Sequence, residues 1–234
     1  MKKNDAKLIK TLVVIFLCIG FIIGVNIFNT TETFKSNDEK IILIDPGHGG
    51  MDGGAIAKDG TLEKNINLSI SKILKKDLKK GKYKVEMTRE KDKGLYSENK
   101  KSRIRSKKIE DLNKRCELKK STNCDMFLSI HLNMFPQSKY HGAQVWYSNN
   151  EESKKLAKLL QDNLREDLDK NNNRKEKSAG NSYKILRSND SVPSVIIECG
   201  FLSNVTEREK LKDKEYQKKI SKAIVKSINE YFQQ

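Results

Sequence analysis

Proline and cysteine are scarce in this sequence, and each scarcity argues against a class of protein. Only three prolines occur in 234 residues, without any low-complexity tract, which argues against long disordered linkers. The four cysteines include no Cys-x-x-Cys pair, which argues against a thiolate metal site. Outside the uncharged segment near the amino terminus only Cys116, Cys124 and Cys199 remain, and this odd number argues against a complete disulfide framework. We therefore interpret these three as small buried hydrophobic residues.

Positive charge is abundant, but no nucleic-acid-binding motif accompanies it. The chain has 47 Lys and Arg against 31 Asp and Glu, a net charge of +16. Such a surface favours an anionic partner, which includes nucleic acid, anionic lipid and anionic polymers. Zinc-finger spacing, a heptad zipper and a basic-aromatic RNA-binding signature are all missing from the sequence. We therefore expect no nucleic-acid partner and interpret most lysines as solvated helix faces.

An uncharged stretch covers residues 11–31 and follows four lysines. As a helix it would be about 31 Å long, enough to cross a bilayer. Basic residues before such a segment hold the amino terminus in the cytoplasm and place the remainder outside. We interpret 1–10 as a cytoplasmic tail, 11–31 as a membrane anchor and 32–39 as a tether. A cleaved signal peptide is the alternative, which the bulky residues after Gly24 disfavour.

Apolar runs alternate with amphipathic helical patterns from residue 40 onward. The first helix is predicted to begin near Leu62 and to end at Gly81. Three further helices are predicted at about 104–116, 156–168 and 220–231. Residues 91–103 and 169–181 are predicted to be polar loops. Strands are predicted at 40–45, 83–88, 126–130, 142–147, 183–186 and 195–197. This order predicts one α/β domain over 40–234, with a mostly parallel sheet and helices on both faces.

Three of the buried strands end in a residue with useful chemistry. His48, His131 and Glu198 each follow an apolar run directly or within a short glycine loop. The carboxyl ends of parallel strands share one edge of a sheet, and Glu63, which opens the helix after the first loop, returns to that edge. Two histidines and one carboxylate form a common catalytic zinc shell. A further carboxylate can accept a proton from water.

Other residues compete for these roles. Asp45 and Asp52 are alternatives to Glu63 as the acidic ligand, and Asp45 could instead orient a ligand histidine. His141 lies in a predicted turn, where an ordinary surface role is favoured.

Glu198 also has a structural alternative. A carboxylate at the end of a buried strand is costly unless it is paired or bound to a metal. An ion pair with Arg89 or Arg115 would satisfy it, whereas its position beside both histidines favours a catalytic role.

Four motifs occur in a fixed order along the chain. They are Asp-Pro-Gly-His-Gly-Gly at 45–50, Leu-Glu-Lys at 62–64 with Asn-Leu at 67–68, Ser-Ile-His-Leu-Asn at 129–133 and Val-Ile-Ile-Glu-Cys-Gly-Phe-Leu-Ser-Asn at 195–204. Together they closely resemble the zinc-dependent N-acetylmuramoyl-L-alanine amidases, from about residue 40 to the end.

The resemblance implies a mostly parallel sheet flanked by helices, which agrees with the pattern above. It also implies that His48, Glu63 and His131 bind Zn²⁺ and that Glu198 is catalytic. The implied reaction is hydrolysis of the amide between the lactyl group of N-acetylmuramic acid and L-alanine in peptidoglycan. Such a substrate lies outside the cytoplasmic membrane, so the resemblance implies an exported protein on the extracytoplasmic face of a bacterial membrane.

Residues 133–147 resemble the sporulation branch of these amidases. The similar segments are Phe-Pro-Gln-Ser at 135–138 and Gly-Ala-Gln-Val at 142–145. Enzymes of that branch strip peptide from spore-cortex glycan so that muramic-δ-lactam can form. Two alternatives stay open: a zinc peptidase that cuts the stem peptide, and a non-catalytic wall-binding module. The sequence also leaves open whether a partner protein is required.

Overall fold

The computed structural model describes residues 39–81, 83–98, 103–187 and 191–233. The predicted cytoplasmic tail, the membrane anchor and all but the last residue of the tether lie outside the described residues. Within the described ranges, no helix is long and apolar enough to cross a membrane.

A six-stranded sheet forms the centre of the single α/β domain, in the order β2-β1-β3-β6-β4-β5. Neighbouring strands are parallel except β4, which runs antiparallel to β6. The strands are β1 (Ile41–Pro46), β2 (Lys84–Met87), β3 (Met126–Asn133), β4 (Gln144–Tyr147), β5 (Lys177–Ser178) and β6 (Ser194–Phe201). The sheet is therefore mixed, although most of its pairs are parallel as predicted. The loop after β3 contains no helix that could return the chain to the opposite edge, so β4 starts where β3 ends.

Helices cover the two faces of the sheet unequally. The helices are α1 (Glu63–Lys80), α2 (Ile104–Ser121), α3 (Glu151–Leu168), α4 (Val205–Lys212) and α5 (Lys214–Gln233), with a short 3₁₀ helix at Lys184–Leu186. The leucines and isoleucines of α1, α3 and α5 pack on one face and form the larger core. The opposite face carries a smaller core around Phe127 and Ile196, to which Leu112 and Cys116 of α2 and Ile185 and Leu186 of the 3₁₀ helix contribute. Only Arg115 and Lys119 of α2 are buried, so this helix covers its face thinly.

Three local predictions differ from the structure. The strand predicted at 183–186 is the 3₁₀ helix, because the Leu186 amide donates to the Tyr183 carbonyl at 3.0 Å and the Arg187 amide donates to the Lys184 carbonyl at 3.1 Å. The sheet instead gains the two-residue strand β5 from the predicted polar loop. The short helix α4 was not predicted, although Asn204 caps it by accepting a hydrogen bond from the Glu207 amide.

The cysteines agree with the sequence interpretation. Cys124 and Cys199 are buried, and Cys116 is half-buried.

Candidate metal centre

A glycine-rich loop after β1 places His48 at the carboxyl edge of the sheet. His48 has a φ of 62°, in the left-handed region that few non-glycine residues adopt. The residue before it must be glycine, because a β-carbon on Gly47 would lie 2.3 Å from the imidazole of His131. Gly54 combines a φ of 70° with a β-carbon position 2.6 Å from both His48 and Glu63. These glycines let the loop backbone approach three functional side chains closely.

Glu63, the first residue of α1, bridges the two histidines. Its Oε2 lies 3.2 Å from His48 Nε2, and its Oε1 lies 3.0 Å from His131 Nδ1. The backbone amides of Ala55 and Leu132 donate to the same carboxylate at 2.9 and 3.0 Å. The amino-terminal end of a helix also favours a negative charge. The carboxylate is thereby fixed between the histidines before any ligand binds.

The charges of this group shift the pKa values of its members. Burial acts to raise the pKa of Glu63, but hydrogen bonds with His131 and His48 outweigh it and hold the pKa well below its usual range. Burial acts to lower the pKa of His48, but hydrogen bonds with Asp52 and Glu63 raise it to about 9. The metal-free protein therefore holds a proton on His48 at neutral pH.

The donor set fits a zinc ion. One ligand atom each from His48, Glu63 and His131 lies within 4.8 Å of the others, and no second such group of three histidine, cysteine or acidic side chains occurs among the described residues. Zinc–ligand bonds of about 2.0 Å in a tetrahedron separate the ligand atoms by about 3.3 Å. Each histidine lies close to this distance from one carboxylate oxygen of Glu63, His48 from Oε2 and His131 from Oε1. Three protein ligands are typical of catalytic zinc sites, in which a fourth position stays open.

Glu198 lies beside this group and forms no ion pair with the residues that the structure describes. It is directly opposite His131 in the register of β3 and β6, and only 7% of it is exposed. Its Oε2 is buried and accepts no hydrogen bond from the described residues. Burial raises the pKa of Glu198 to about 7. The structural alternative is wrong, because Arg89 and Arg115 donate elsewhere, to backbone carbonyls and to aspartates.

A comparison with protein families identifies the family of this chain. Residues 42–230 match the family described as N-acetylmuramoyl-L-alanine amidase. This chain belongs to that family. The resemblance inferred from the four motifs is confirmed, and the protein is an amidase.

Individual relatives support the same assignment. The amidase is 39% identical over 225 residues to the germination-specific N-acetylmuramoyl-L-alanine amidase of Bacillus subtilis, with 92% of each chain covered. The CwlD amidase of Clostridioides difficile, solved in complex with the GerS lipoprotein, is 44% identical with a TM-score of 0.80; the match covers 83% of this chain and 99% of that one. A second amidase structure, from Clostridium difficile 630, is 29% identical with a TM-score of 0.72 and covers 83% and 97%.

Asp45 of the amidase lies outside the group formed by His48, Glu63 and His131. It is buried and accepts hydrogen bonds from Thr88 at 2.6 Å, Ser129 at 2.7 Å and Arg115 at 2.5 Å. Burial acts against its charge, but Arg115 and the two hydroxyl groups keep the pKa of Asp45 below its usual value. Arg115 also donates to the His48 carbonyl at 2.7 Å, so the Asp45–Arg115 ion pair stabilises the loop that carries His48.

Replacing Asp45 by alanine is expected to lower the free energy of unfolding of the amidase by about 3–5 kcal/mol, because it leaves the buried Arg115 without its partner on β1. Urea unfolding at pH 7 measures the change. Asp167→Ala is the matched control: its ion pair with Lys226 is long and partly exposed, so the loss should stay below about 1 kcal/mol. Equal losses in both variants would contradict a supporting role for Asp45.

Asp52, the other acidic alternative, orients a histidine and is not part of the three-residue group. Its Oδ2 lies 2.8 Å from His48 Nδ1, and its Oδ1 accepts from Lys108 at 2.7 Å. The hydrogen bond with His48 is the main reason why the pKa of Asp52 lies far below its usual range. The contact directs His48 Nε2 toward Glu63, as partners of metal-ligating histidines commonly do.

Zinc binding to the amidase is expected to strengthen as pH rises. A zinc ion held by His48 would have to displace the proton of this imidazole, whose pKa is raised to about 9. Below that value the apparent affinity should increase about tenfold per pH unit, as expected for release of one proton. Competition against a chromophoric chelator from pH 6.5 to 8.5 measures the slope. Asp52→Asn removes one hydrogen bond that raises the pKa of His48, so the zinc affinity of this variant should stop rising at a lower pH than that of the wild type. If the zinc affinity of the wild type does not depend on pH, His48 is not protonated before zinc binds.

A cleft leads from the two histidines across the thinly covered face of the amidase. It has a volume of about 260 Å³ and runs between Leu112 of α2 and residues 182–185. Tyr183 lines it, and burial together with the nearby Glu198 charge raises the pKa of this phenol to about 12. The position of Tyr183 in this cleft could not be predicted from the sequence, since the segment around it has no repeating apolar pattern. His141 is half exposed beside Asp169 and lies outside the group formed by His48, Glu63 and His131, as expected for a surface residue.

Proposed function

We propose that His48, Glu63 and His131 hold one zinc ion and that Glu198 acts as the general base when the amidase cleaves the bond between N-acetylmuramic acid and L-alanine in peptidoglycan. The observation that carries this proposal is the juxtaposition of a preformed two-histidine, one-carboxylate group with a buried carboxyl that has a free oxygen. Both features lie at the carboxyl edge of β1, β3 and β6, where open α/β sheets build their sites.

An amide is a weak electrophile with a poor leaving group. His48, Glu63 and His131 would hold a zinc ion that would act as a Lewis acid on the carbonyl and would lower the pKa of water from 15.7 toward about 7. Glu198 accepts the proton of the attacking water and then donates it to the leaving nitrogen of L-alanine. Asp52 and the Ala55 and Leu132 amides keep His48 and Glu63 oriented while the proton moves.

The experiment that tests this function is digestion of intact peptidoglycan by the full chain. Mass analysis should find stem peptides with a free L-alanine amino terminus, and bare lactyl carboxyl groups on the glycan. A chelator should stop their release, and added zinc should restore it. Fragments cut within the stem, with L-alanine still attached to the glycan, would instead identify a zinc peptidase. If no fragment is released in a zinc-dependent way, the remaining interpretation is a non-catalytic wall-binding module.

The biological setting that we propose is the spore cortex, where stem removal allows muramic-δ-lactam to form. The name of the Bacillus subtilis relative, a germination-specific amidase, supports this setting, as does the resemblance of residues 133–147. Muropeptides from spores that lack this protein should contain no muramic-δ-lactam, and the wild-type gene should restore it. Normal lactam content in such spores would contradict the cortex role.

We also propose that the uncharged segment 11–31 anchors the catalytic domain on the outer side of a membrane. The four preceding lysines support this orientation, and the lipoprotein bound to the Clostridioides difficile relative is consistent with a membrane surface. Protease added to intact protoplasts should degrade the domain. Protection that lasts until the membrane is permeabilised would exclude the proposed topology.

A further inference from the structure

The row of side chains that contains His131 and Glu198 continues onto β4. His131 is the register partner of Glu198 on one side, and Gln144 is its partner on the other. Direct partners on neighbouring strands present their side chains to the same face of a sheet. Gln144 reaches this edge because β4 is antiparallel to β6. The catalytic edge therefore extends one strand beyond Glu198, in the direction away from His48.

Arg174 lies at the end of this row and is held in one orientation. Its Nη1 donates to Gln144 Oε1 at 3.2 Å, and its Nε donates to the His141 carbonyl at 2.8 Å. The guanidinium carbon lies 4.4 Å from the ring centroid of Phe201 and 5.9 Å from that of Tyr140. Stacking on Phe201 fixes the plane of the group, and the two hydrogen bonds fix its rotation.

No carboxylate of the described residues forms an ion pair with Arg174, and its Nη2 donates no hydrogen bond to them. The charge of Glu207 acts to raise the pKa of Arg174, but Glu207 forms no ion pair with it. Its two oxygens instead accept hydrogen bonds from the Gly142 and Phe201 amides at 2.9 and 2.8 Å. Burial lowers the pKa of Arg174 without neutralising it at physiological pH. A fixed, half-buried cation thus keeps donors available for a ligand.

These donors belong to an open cavity of about 360 Å³, which we call the Arg174 pocket; it is lined by residues 139–141 and 171–174. Lys139 adds a second positive charge, lies over the Tyr140 ring and has no carboxylate partner among the described residues. His141 is paired with Asp169. Two cations and an aromatic ring around one cavity suit a ligand that combines a carboxylate with apolar groups.

We propose that the Arg174 pocket binds a carboxylate of the peptide stem, an inference that rests on the proposed amidase function. The leaving nitrogen must reach Glu198 to receive its proton, so the stem extends on the side of Glu198. Neighbouring strands are about 4.8 Å apart, which places Gln144 and then Arg174 within reach of the next stem residues. Two to three extended residues span about 7–10 Å. The planar guanidinium binds carboxylates through two parallel hydrogen bonds.

The first test compares two substrates on the zinc-loaded full chain. One sample of soluble glycan strands carries stems with free carboxylates, and in the other these groups are converted to amides. The wild-type protein should cleave the free-carboxylate stems with a kcat/KM about 10- to 100-fold higher, the range expected for charged hydrogen bonds. Equal kcat/KM values for the two substrates would overturn the subsite. If neither substrate is cleaved in the presence of zinc, the proposed function itself fails.

The second test asks whether Arg174 is the cause of this preference. Arg174→Gln should raise KM for the free-carboxylate substrate and reduce the preference for that substrate to near one. Arg174→Lys keeps the charge without the planar fork and should recover part of the preference. Lys222→Gln removes one charge from an exposed site on α5 and should keep the wild-type ratio. If Arg174→Gln folds and keeps the wild-type ratio of kcat/KM between the two substrates, Arg174 is not the cause of the preference.

Discussion

Replacing Glu198 by glutamine is expected to lower the rate of stem release at least about 100-fold while the zinc content stays at the wild-type level. Glutamine keeps the size of the side chain but cannot accept the water proton. Positioned acid–base groups contribute 10²–10⁴-fold, on the order of 3–5 kcal/mol of barrier. Muropeptide release, zinc content and thermal midpoint are measured on the same preparation.

The thermal midpoint distinguishes this role from a structural one. Glu198 is buried, its Oε2 has no partner among the described residues, and burial raises its pKa to about 7, above the value in an unfolded chain. Its stabilising protonated form is therefore lost as pH rises through 7, so the variant should be no less stable than the wild type at pH 8. Glu209→Gln, on the exposed face of α4, is the matched control and should leave release unchanged. Near-normal release by Glu198→Gln would exclude the catalytic role.

His131→Ala is expected to lose nearly all of its zinc and, with it, all measurable stem release. Residues that only orient a ligand already change metal affinity 10- to 100-fold, so removal of a direct ligand should cost more. The imidazole also contacts Glu63 at 3.0 Å, so its loss removes one of the contacts that hold this carboxylate in place. Metal analysis after gel filtration in chelator-free buffer gives the zinc content per chain.

His141→Ala is the control for metal content, because this histidine is half exposed and pairs with Asp169. It should keep one zinc per chain. Full zinc content in His131→Ala would refute the ligand assignment. Loss of zinc from Glu198→Gln would instead make Glu198 a ligand, and the role of Glu63 would then need to be reassigned.

The four principal site residues could be located from the sequence because strand ends impose their position. An apolar run followed by a histidine or glutamate is visible without a structure, and parallel pairing brings His48, His131 and Glu198 to one edge. Glu63 could be added because a helix that follows such a loop begins at the same edge. The chemistry of these residues limits the possible functions more strictly than the fold alone does.

The roles of the two nearby aspartates could not be assigned in this way. Asp45 extends from β1 toward Thr88 and Arg115, which join it from distant parts of the chain, whereas Asp52 reaches His48 across a tight turn. Which carboxylate meets the histidine depends on the backbone path of the glycine loop. That path follows from positive φ angles that the residue types permit but do not dictate.

Residues 169–187 were predicted least well, although Tyr183 and Arg174 both lie there. The segment contains few apolar residues and no helical or alternating period, so nothing in it indicates β5 or the 3₁₀ helix. Its conformation is set by distant partners, such as the Gln144 side chain that accepts from Arg174. The same dependence explains why the segment can contribute to substrate recognition: its side chains are placed by the sheet edge that carries the chemistry.

The unequal covering of the sheet has a consequence for how the amidase opens. Amides of β3 and β6 lie between two cores and should exchange with deuterium only through global unfolding, whereas α2, with two buried side chains, should exchange through local opening. Lys108 and Arg115 of this helix contact Asp52 and the His48 carbonyl. Each local opening of α2 therefore releases the histidine loop, so metal exchange and deuterium uptake in α2 should share one rate while the rest of the domain stays folded.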